Sequence, residues 1–438
     1  MRRLLILLAL TSALRAAPPN ILLIFADDLG YSDVGVFGAR SIRTPNLDRL
    51  AAEGARLTAH LVASPVCSPS RAGLLTGRYP QRTGIVGVLR DHHDATGLDL
   101  DERTIADELS AAGYETALIG KWHLGIPEPY RPLRRGFAHA FGFLSGTIDY
   151  YSHISRGGGR KGLPVLSRDG KPFESEGYFP DRLADEVVRY LVAPHERPFF
   201  LFYSLGLPHT PLQAPPDSQA RGDAAVYRAM VERLDRNVGR ALEALESSGL
   251  AENTLVVFLS DHGWDARRKG GPGSNRPFRG GKYELTEGGL RTPTLVRWPG
   301  RIPAGRILDE PSIALDWFPT FLEAAQVTAP SQNPLDGVSL IGYLTGGDAP
   351  PPRTLFWAFR DDLTGTPASY AARRGRWKFL RVGDHEALYN LDEDPGEVRD
   401  LSGRQAEIFH ALRDAADRWR AAVGEPRWIS KPPAPAAP

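Results

Sequence analysis

The alternation of apolar runs with helical repeats along the 438 residues predicts an α/β fold. The expected architecture is an α/β/α sandwich around a large, mostly parallel sheet, followed by a small C-terminal antiparallel sheet plus helix. Three observations carry this reading. Four nearly continuous apolar runs of strand length end in polar or charged residues. Segments with apolar side chains spaced by three and four alternate with them. Beyond about residue 340 the runs shorten after a Pro-rich stretch.

In chain order, Arg2 and Arg3 precede an apolar run at residues 4–10, and small residues follow at Thr11, Ser12, Ala13, Ala16 and Ala17. This is the pattern of a secretory signal peptide over residues 1–17. The run falls short of the ~20 residues that span a bilayer, so an exported protein, periplasmic or secreted and without a stable membrane span, is expected. The buried strands are residues 20–26, 115–120, 198–205 and 254–259. Helices are expected where Thr44 and Pro45 open a segment closed by Gly54, and over 104–112, 181–192, 224–247 and 312–325. In the longest, Tyr227, Met230, Leu234, Val238, Ala241 and Leu245 keep helical spacing. Residues 348–353 read as a linker. Short strands follow at 354–359, 369–372, 377–381 and 387–389, then a helix near 404–423. The expected division is residues 18–340 as the catalytic domain, 341–430 as a small α+β subdomain, and a Pro/Ala-rich tail, 431–438, with no fixed structure.

In open α/β sheets, ligands sit beyond the carboxyl ends of the strands. All four long runs deliver polar residues there: Asp27-Asp28, Lys121-Trp122-His123, Pro208-His209 and Ser260-Asp261-His262. The expected site is therefore charged. With 42% hydrophobic residues the chain can bury a large core, and a net charge of +1 argues against nucleic acid or an anionic membrane as the main partner. One cysteine, Cys67, excludes an intrachain disulfide framework and every Cys-rich zinc or iron–sulfur site.

That cysteine lies in SPVCSPSRAGLLTG, residues 64–77. Ser68 and Pro69 read as N-cap and N1 of a helix, which puts Cys67 just before its start. The positive helix end and Arg71, one turn along, favour an anionic group there. From the residues alone two fates stay open: a small buried hydrophobe, the usual role of a lone cysteine, or a thiolate nucleophile.

Cys67-Ser68-Pro69-Ser70-Arg71 followed by Leu-Thr-Gly-Arg resembles the signature of the type I, formylglycine-dependent sulfatases, arylsulfatase-like members of the alkaline-phosphatase superfamily. Blocks at residues 20–30 (NILLIFADDLG), 120–125 (GKWHLG), 208–211 (PHTP), 260–263 (SDHG), 280–293 (GGKYELTEGGLRTP) and 388–401 (LYNLDEDPGEVRDL) match that family in its order, so the likeness runs from about residue 20 to 402. The resemblance implies an alkaline-phosphatase-like fold and a hydrolase that cleaves sulfate monoesters, of a carbohydrate or an aryl alcohol, to the alcohol and inorganic sulfate. It implies that a maturation enzyme oxidises Cys67 to formylglycine, whose hydrated aldehyde attacks sulfur. The sulfated hemiacetal then collapses, which a plain cysteine with no second hydroxyl could not do. It implies one Ca²⁺ held by Asp27, Asp28, residue 67, Asp261 and His262. Many relatives carry Asn at the last position, so His262 is read either as a ligand or as a sulfate contact. Lys121, His123 and Lys282 would contact the sulfate, His209 would handle proton transfer, Arg71 would hold the hydrated aldehyde, and Asp261 could act as its base. The implied partners are a sulfated small molecule or glycan, the formylglycine-generating enzyme and the secretion machinery.

The residue types suit this chemistry. Three carboxylates at neighbouring strand ends repel one another unless a hard cation neutralises them, and oxygen ligands suit Ca²⁺ or Mg²⁺; an Asp-Asp pair seen alone is more often a turn or a cap. Cationic side chains stabilise charge building on a sulfate ester, and a protonated His or Lys can serve the leaving oxygen. Asp91-His92-His93-Asp94 reads as a polar loop before a second metal site, and residues 156–161 (RGGGRK) as a basic loop before a glycan grip. Asp149 and Tyr150 fall where relatives shape the substrate pocket. Two alternatives remain: a phosphate or phosphonate monoester hydrolase of the same superfamily, and a catalytically dead sulfated-glycan-binding protein.

Overall fold

The computed structural model describes residues 17–90, 96–155, 165–267, 271–330, 332–361 and 364–424. The segments read as a signal peptide, the 91–94 and 156–161 loops and the C-terminal tail lie outside the described residues, save Ala17 of the first. The backbone builds a ten-stranded sheet in the order Arg306–Leu308, Ala55–Leu57, Thr294–Arg297, Thr254–Ser260, Asn20–Asp27, Phe199–Pro208, Glu115–Lys121, His139–Phe143, Leu166–Arg168, Lys171–Pro172. The five strands from Thr254–Ser260 to His139–Phe143 run parallel. All four runs expected as buried strands are among them, each within two or three residues of its expected ends.

Both faces of this sheet are covered, which is why the runs do not alternate apolar with polar. Ile21, Leu23, Phe25, Phe200, Phe202, Leu255 and Val257 point into one core, with Leu74, Leu109, Trp317 and Phe321. Leu22, Ile24, Leu201, Tyr203, Val256 and Phe258 point into the other, beneath the helices Phe179–Val192 and Asp223–Ser247. The helix Ile105–Ala111 starts where a capping box forms: the Thr104 side chain accepts from Asp107 N, and Asp107 accepts from Thr104 N. The expected single helix over 312–325 is shorter. Ser312–Ile313 pairs in parallel with His60–Leu61, a 3₁₀ turn follows, and the helix is Trp317–Ala324. Asp316 causes the break, because its carboxylate accepts from Ile313 N and Val338 N and so ties down a turn.

Beyond Arg353 the strands Thr354–Asp361, Thr366–Arg374, Trp377–Val382 and His385–Asn390 form an antiparallel meander. The helix Ala406–Val423 covers one face through Leu412 and Ala416 against Ala372, Phe379 and Leu388. The other face, with Leu355, Trp357, Phe359 and Leu380, joins the core of the large sheet. Among the described residues, no helix is long and apolar enough to cross a membrane.

The two sheets are also joined by buried charges. The Glu287 carboxylate accepts from Arg373 Nη1 at 2.7 Å and Lys378 Nζ at 3.0 Å. Lys378 Nζ lies 2.9 Å from Glu397 Oε1, and Glu397 Oε2 accepts from Glu287 N at 2.7 Å. Burial alone would raise the Glu287 carboxyl, but Arg373 and Lys378 hold it at about 2. A carboxyl depressed in the fold stabilises it above the unfolded value of 4.5, and this contribution is lost as pH falls towards 2. Glu287→Gln should therefore cost about 3–5 kcal/mol at pH 7 in denaturant unfolding, and the wild type's advantage should shrink on acidification from about pH 4.5.

Candidate active site

The parallel strands bring their carboxyl ends into register. Ala26 stands opposite Ser260, Phe25 opposite Ser204, and Gly120 opposite Ser204 from the other side. The ends of four adjacent strands therefore bring Asp261, Asp27-Asp28, His209 and Lys121 to one edge, with Asp27 opposite Pro208. The chain turns sharply here: Asp28 takes a left-handed φ of 63°, and Asp28 N donates to Asp261 Oδ1 at 3.0 Å.

Cys67 arrives from the helix Cys67–Thr76, where it is the first helical residue after an extended Val66. Ser68 and Pro69 thus lie two residues deeper in the helix than expected. Ser68 does not cap it, since its Oγ accepts from Leu89 N at 3.0 Å. The thiol is 2% exposed, and its Sγ lies 3.3 Å from His262 Nε2 and 3.6 Å from Lys282 Nζ. Burial alone would raise its pKa, but Lys121 and Lys282 bring it well below the ordinary thiol range.

Each carboxylate has a cation. Lys121 Nζ donates to both Asp27 oxygens at 2.9 and 2.7 Å, and Lys282 Nζ to both Asp28 oxygens at 2.7 and 2.9 Å. Arg71, wholly buried, places Nη2 at 3.5 Å from Asp27 and 3.5 Å from Asp261. Its Nη1 donates to Ser204 Oγ at 2.6 Å, and its guanidinium lies 5.1 Å from the Phe25 ring centroid. His262 Nε2 sits 3.2 Å from Asp28 Oδ1. Burial would lower its pKa, yet Asp261 and Asp28 lift it to about 9. Burial, with Asp27 and Cys67 nearby, raises Asp261 well above the carboxylate range. His209 stands at the margin, with Nε2 3.8 Å from Asp28 Oδ2 and Nδ1 2.6 Å from the Thr210 carbonyl.

Asp28, Cys67, Asp261 and His262 present ligand atoms within 4.8 Å of one another, a buried group that could hold a metal ion. Asp261 Oδ2 accepts no hydrogen bond among the described residues and has only the Arg71 guanidinium at 3.5 Å, so one carboxylate oxygen in this group has unused capacity for a cation. The donors are two carboxylates, one imidazole and the Cys67 sulfur; the carboxylates suit a hard divalent ion, and an oxygen in place of the sulfur at residue 67 would make the set oxygen-rich. Asp27, expected as a further ligand, has both oxygens engaged by Lys121.

The sequence reading thus converges for Asp27, Asp28, Cys67, Arg71, Lys121, Asp261, His262 and Lys282, with His209 beside them. His123 stands apart: its Nε2 bonds the Leu89 carbonyl at 2.9 Å, and its buried Nδ1 has no partner among the described residues. Three polar supports went unread. Ser204 receives Arg71, Ser70 Oγ donates to the Asp261 carbonyl at 2.6 Å, and Ser260 Oγ accepts from Leu29 N at 3.1 Å. Ser204 had a signal, as the single small polar residue inside the run FFLFYSL. Tyr150 hydroxyl donates to the carbonyls of Gly206 and His209 and so fixes the latter's backbone. Because Arg71 is the sole cation reaching both Asp27 and Asp261 among the ion pairs of the described residues, Arg71→Met should cost about 3–5 kcal/mol in denaturant unfolding.

Comparison with known proteins agrees with this geometry. Residues 19–327 match the family described as Sulfatase, and residues 281–421 that described as N-sulphoglucosamine sulphohydrolase, C-terminal. The chain is 36% identical to arylsulfatase A of Homo sapiens over 93% of its own length and 89% of the relative's. It is 34% identical to N-acetylgalactosamine-6-sulfatase of Canis lupus familiaris, covering 92% and 81%. The solved structure of Ps i-CgsB in complex with k-i-k-neocarrahexaose superposes with a TM-score of 0.87 at 32% identity, covering 94% of this chain and 95% of that one. A phosphonate monoester hydrolase of Agrobacterium radiobacter shares the fold, with a TM-score of 0.68 at 22% identity over 93% and 96% of the two chains. With a family match across most of its length, the chain belongs to the sulfatases and is a sulfuric ester hydrolase.

Proposed function

We propose that this sulfatase acts on a sulfated carbohydrate through a formylglycine made from Cys67, with one Ca²⁺ held by Asp28, residue 67, Asp261 and His262, and with Asp27 completing the set once Lys121 turns to the substrate. The observation that carries the reading is the placement of the only cysteine at a helix N-terminus, its Sγ within 3.6 Å of His262 and Lys282 and grouped with two carboxylates. Once oxidised and hydrated, residue 67 supplies a nucleophilic hydroxyl and a second hydroxyl that lets the sulfated adduct break down; the cation supplies positive charge for the ester oxygens.

The chain's own groups do the rest. Lys121 and Lys282 each hold a carboxylate now and can turn a proton-bearing Nζ towards the anionic ester oxygens, while Arg71 keeps Asp27 and Asp261 fixed behind residue 67. Asp261, when ionised beside Arg71 and His262, would take the proton of the attacking hydroxyl. His209 anchors Nδ1 on a backbone carbonyl and leaves Nε2 at the rim, the position for a group that protonates the departing alcohol. His123 would have to leave the Leu89 carbonyl to reach the sulfate. The carbohydrate class is supported by the named substrates of the relatives, and export by the Arg-led apolar segment at the N-terminus.

Mass spectrometry of the peptide containing residue 67, from a host with the maturation enzyme, should show formylglycine. Cys67→Ala should lower sulfate-ester turnover by roughly three or more orders of magnitude; unchanged turnover would remove the nucleophile assignment. Chelation should lower the melting temperature as well as activity, and Ca²⁺ at a hundredfold excess over its Kd should restore about 2.7 kcal/mol of stability. Matched sulfate and phosphate esters should differ in rate in favour of sulfate.

A further inference from the structure

Beside the site, at the seam between the large sheet and the C-terminal meander, lies a cavity of about 290 Å³. Gln81, Val86, Phe359, Arg360, Tyr370 and Arg420 line it. Its volume is close to the lower end of small-ligand clefts, about 300 Å³, the size class of one sugar unit rather than a long chain. Two observations set it apart from a packing gap. Gln81 is 6% exposed, and while its Nε2 donates to the Ala358 carbonyl at 2.7 Å, its buried Oε1 has no partner among the described residues. A buried acceptor left unsatisfied is costly, and a ligand hydroxyl would satisfy it. Arg420 is exposed, stands 4.6 Å from the Tyr370 ring centroid, and forms no ion pair among the described residues. It offers the cavity a guanidinium, which binds carboxylate or sulfate oxygens in bidentate fashion.

The cavity is tied to the reacting centre on two sides. The Phe359 ring packs 6.4 Å from that of Tyr283, the residue after Lys282. Val86 belongs to the segment that runs on to Leu89, whose N–H is held by Ser68 and whose carbonyl is held by His123. Phe359 and Val86 also give the wall an apolar surface for the C–H face of a pyranose.

We propose that this cavity is a second sugar subsite, which takes an anionic unit of the same glycan that presents its sulfate ester to residue 67. The proposal rests on the carbohydrate reading of the substrate. Gln81 accepts a hydrogen bond from a ring hydroxyl there, and Arg420 holds the carboxylate or sulfate. The subsite therefore sets which oligosaccharides are good substrates and takes no part in the chemistry at sulfur.

The test uses the matured full chain and three sulfated disaccharides identical at the reacting unit, whose neighbouring sugar is neutral, carries a carboxylate, or carries a second sulfate. The wild type should show a KM about tenfold lower for the preferred anionic neighbour than for the neutral one. The arm with the larger gain identifies which oxyanion the cavity takes. In Arg420→Gln and Gln81→Leu that ratio should fall towards one. A ratio of one in the wild type, or a ratio that survives both substitutions, overturns the proposal. If the wild type cleaves an aryl sulfate but none of the disaccharides, the carbohydrate reading fails. Calorimetric titration with a uronate disaccharide and a sulfated disaccharide lacking the reacting ester still reads the cavity. Heat with either probe that is lost in Arg420→Gln supports the subsite, and no heat with both, or heat unchanged by the substitution, rejects it.

Discussion

Everything at the catalytic edge answers to one constraint: three carboxylates have to be buried at one end of the sheet, two of them with ligand atoms within 4.8 Å of Cys67. Each such charge is costly without a partner, so each is matched, Asp27 by Lys121, Asp28 by Lys282, and Asp27 with Asp261 by Arg71. The matching cations come from three separate segments. The carboxylates can be neutralised only if the strand ends, the Cys67 helix and the Lys282 segment are all in place. The hydroxyls of Ser70, Ser204 and Ser260 then hold the backbone and Arg71 in that arrangement. A site so dense in fixed charge stabilises a reacting anion with little rearrangement, which is the main physical contribution a protein can make to sulfate-ester cleavage.

The C-terminal meander belongs to the same arrangement. Lys282 sits on a segment that folds back on itself so tightly that a Cβ on Gly289 would lie 2.1 Å from the Glu284 carbonyl oxygen. Five residues after Lys282, Glu287 is gripped by Arg373 and Lys378, and its own N–H by Glu397. The block LYNLDEDPGEVRDL, remote from Cys67 in sequence, thus supplies the carboxylate that pins the lysine's segment. This gives the meander a mechanical role in placing Lys282, as well as walls for the neighbouring cavity.

Much of this was legible in the chain. The runs at 20–26, 115–120, 198–205 and 254–259 have no polar alternation, and burial on both faces of a parallel sheet is the reason. Their polar ends were legible as a site because parallel strands all deliver that end to one edge. Where the reading slipped, a long-range contact overrode local preference. The 312–325 run has helical composition, but its first residues pair with His60–Leu61 and Asp316 breaks it. Ser68 has the chemistry of an N-cap, but Leu89 N takes its hydroxyl. His123 lies in a block of site residues and yet faces the Leu89 carbonyl.

The sequence by itself determined the sheet's central strands, the edge at which charge collects, and the candidate nucleophile, since periodicity and a lone cysteine in a distinctive block are local properties. Only the tertiary structure decided which cation neutralises which carboxylate, that Asp28, Cys67, Asp261 and His262 form one buried group, and that Gln81 and Arg420 meet at a common cavity. Those pairings join residues up to 339 positions apart in the chain, as Gln81 and Arg420 are. Their distances are set by how two sheets pack, which no stretch of sequence encodes on its own.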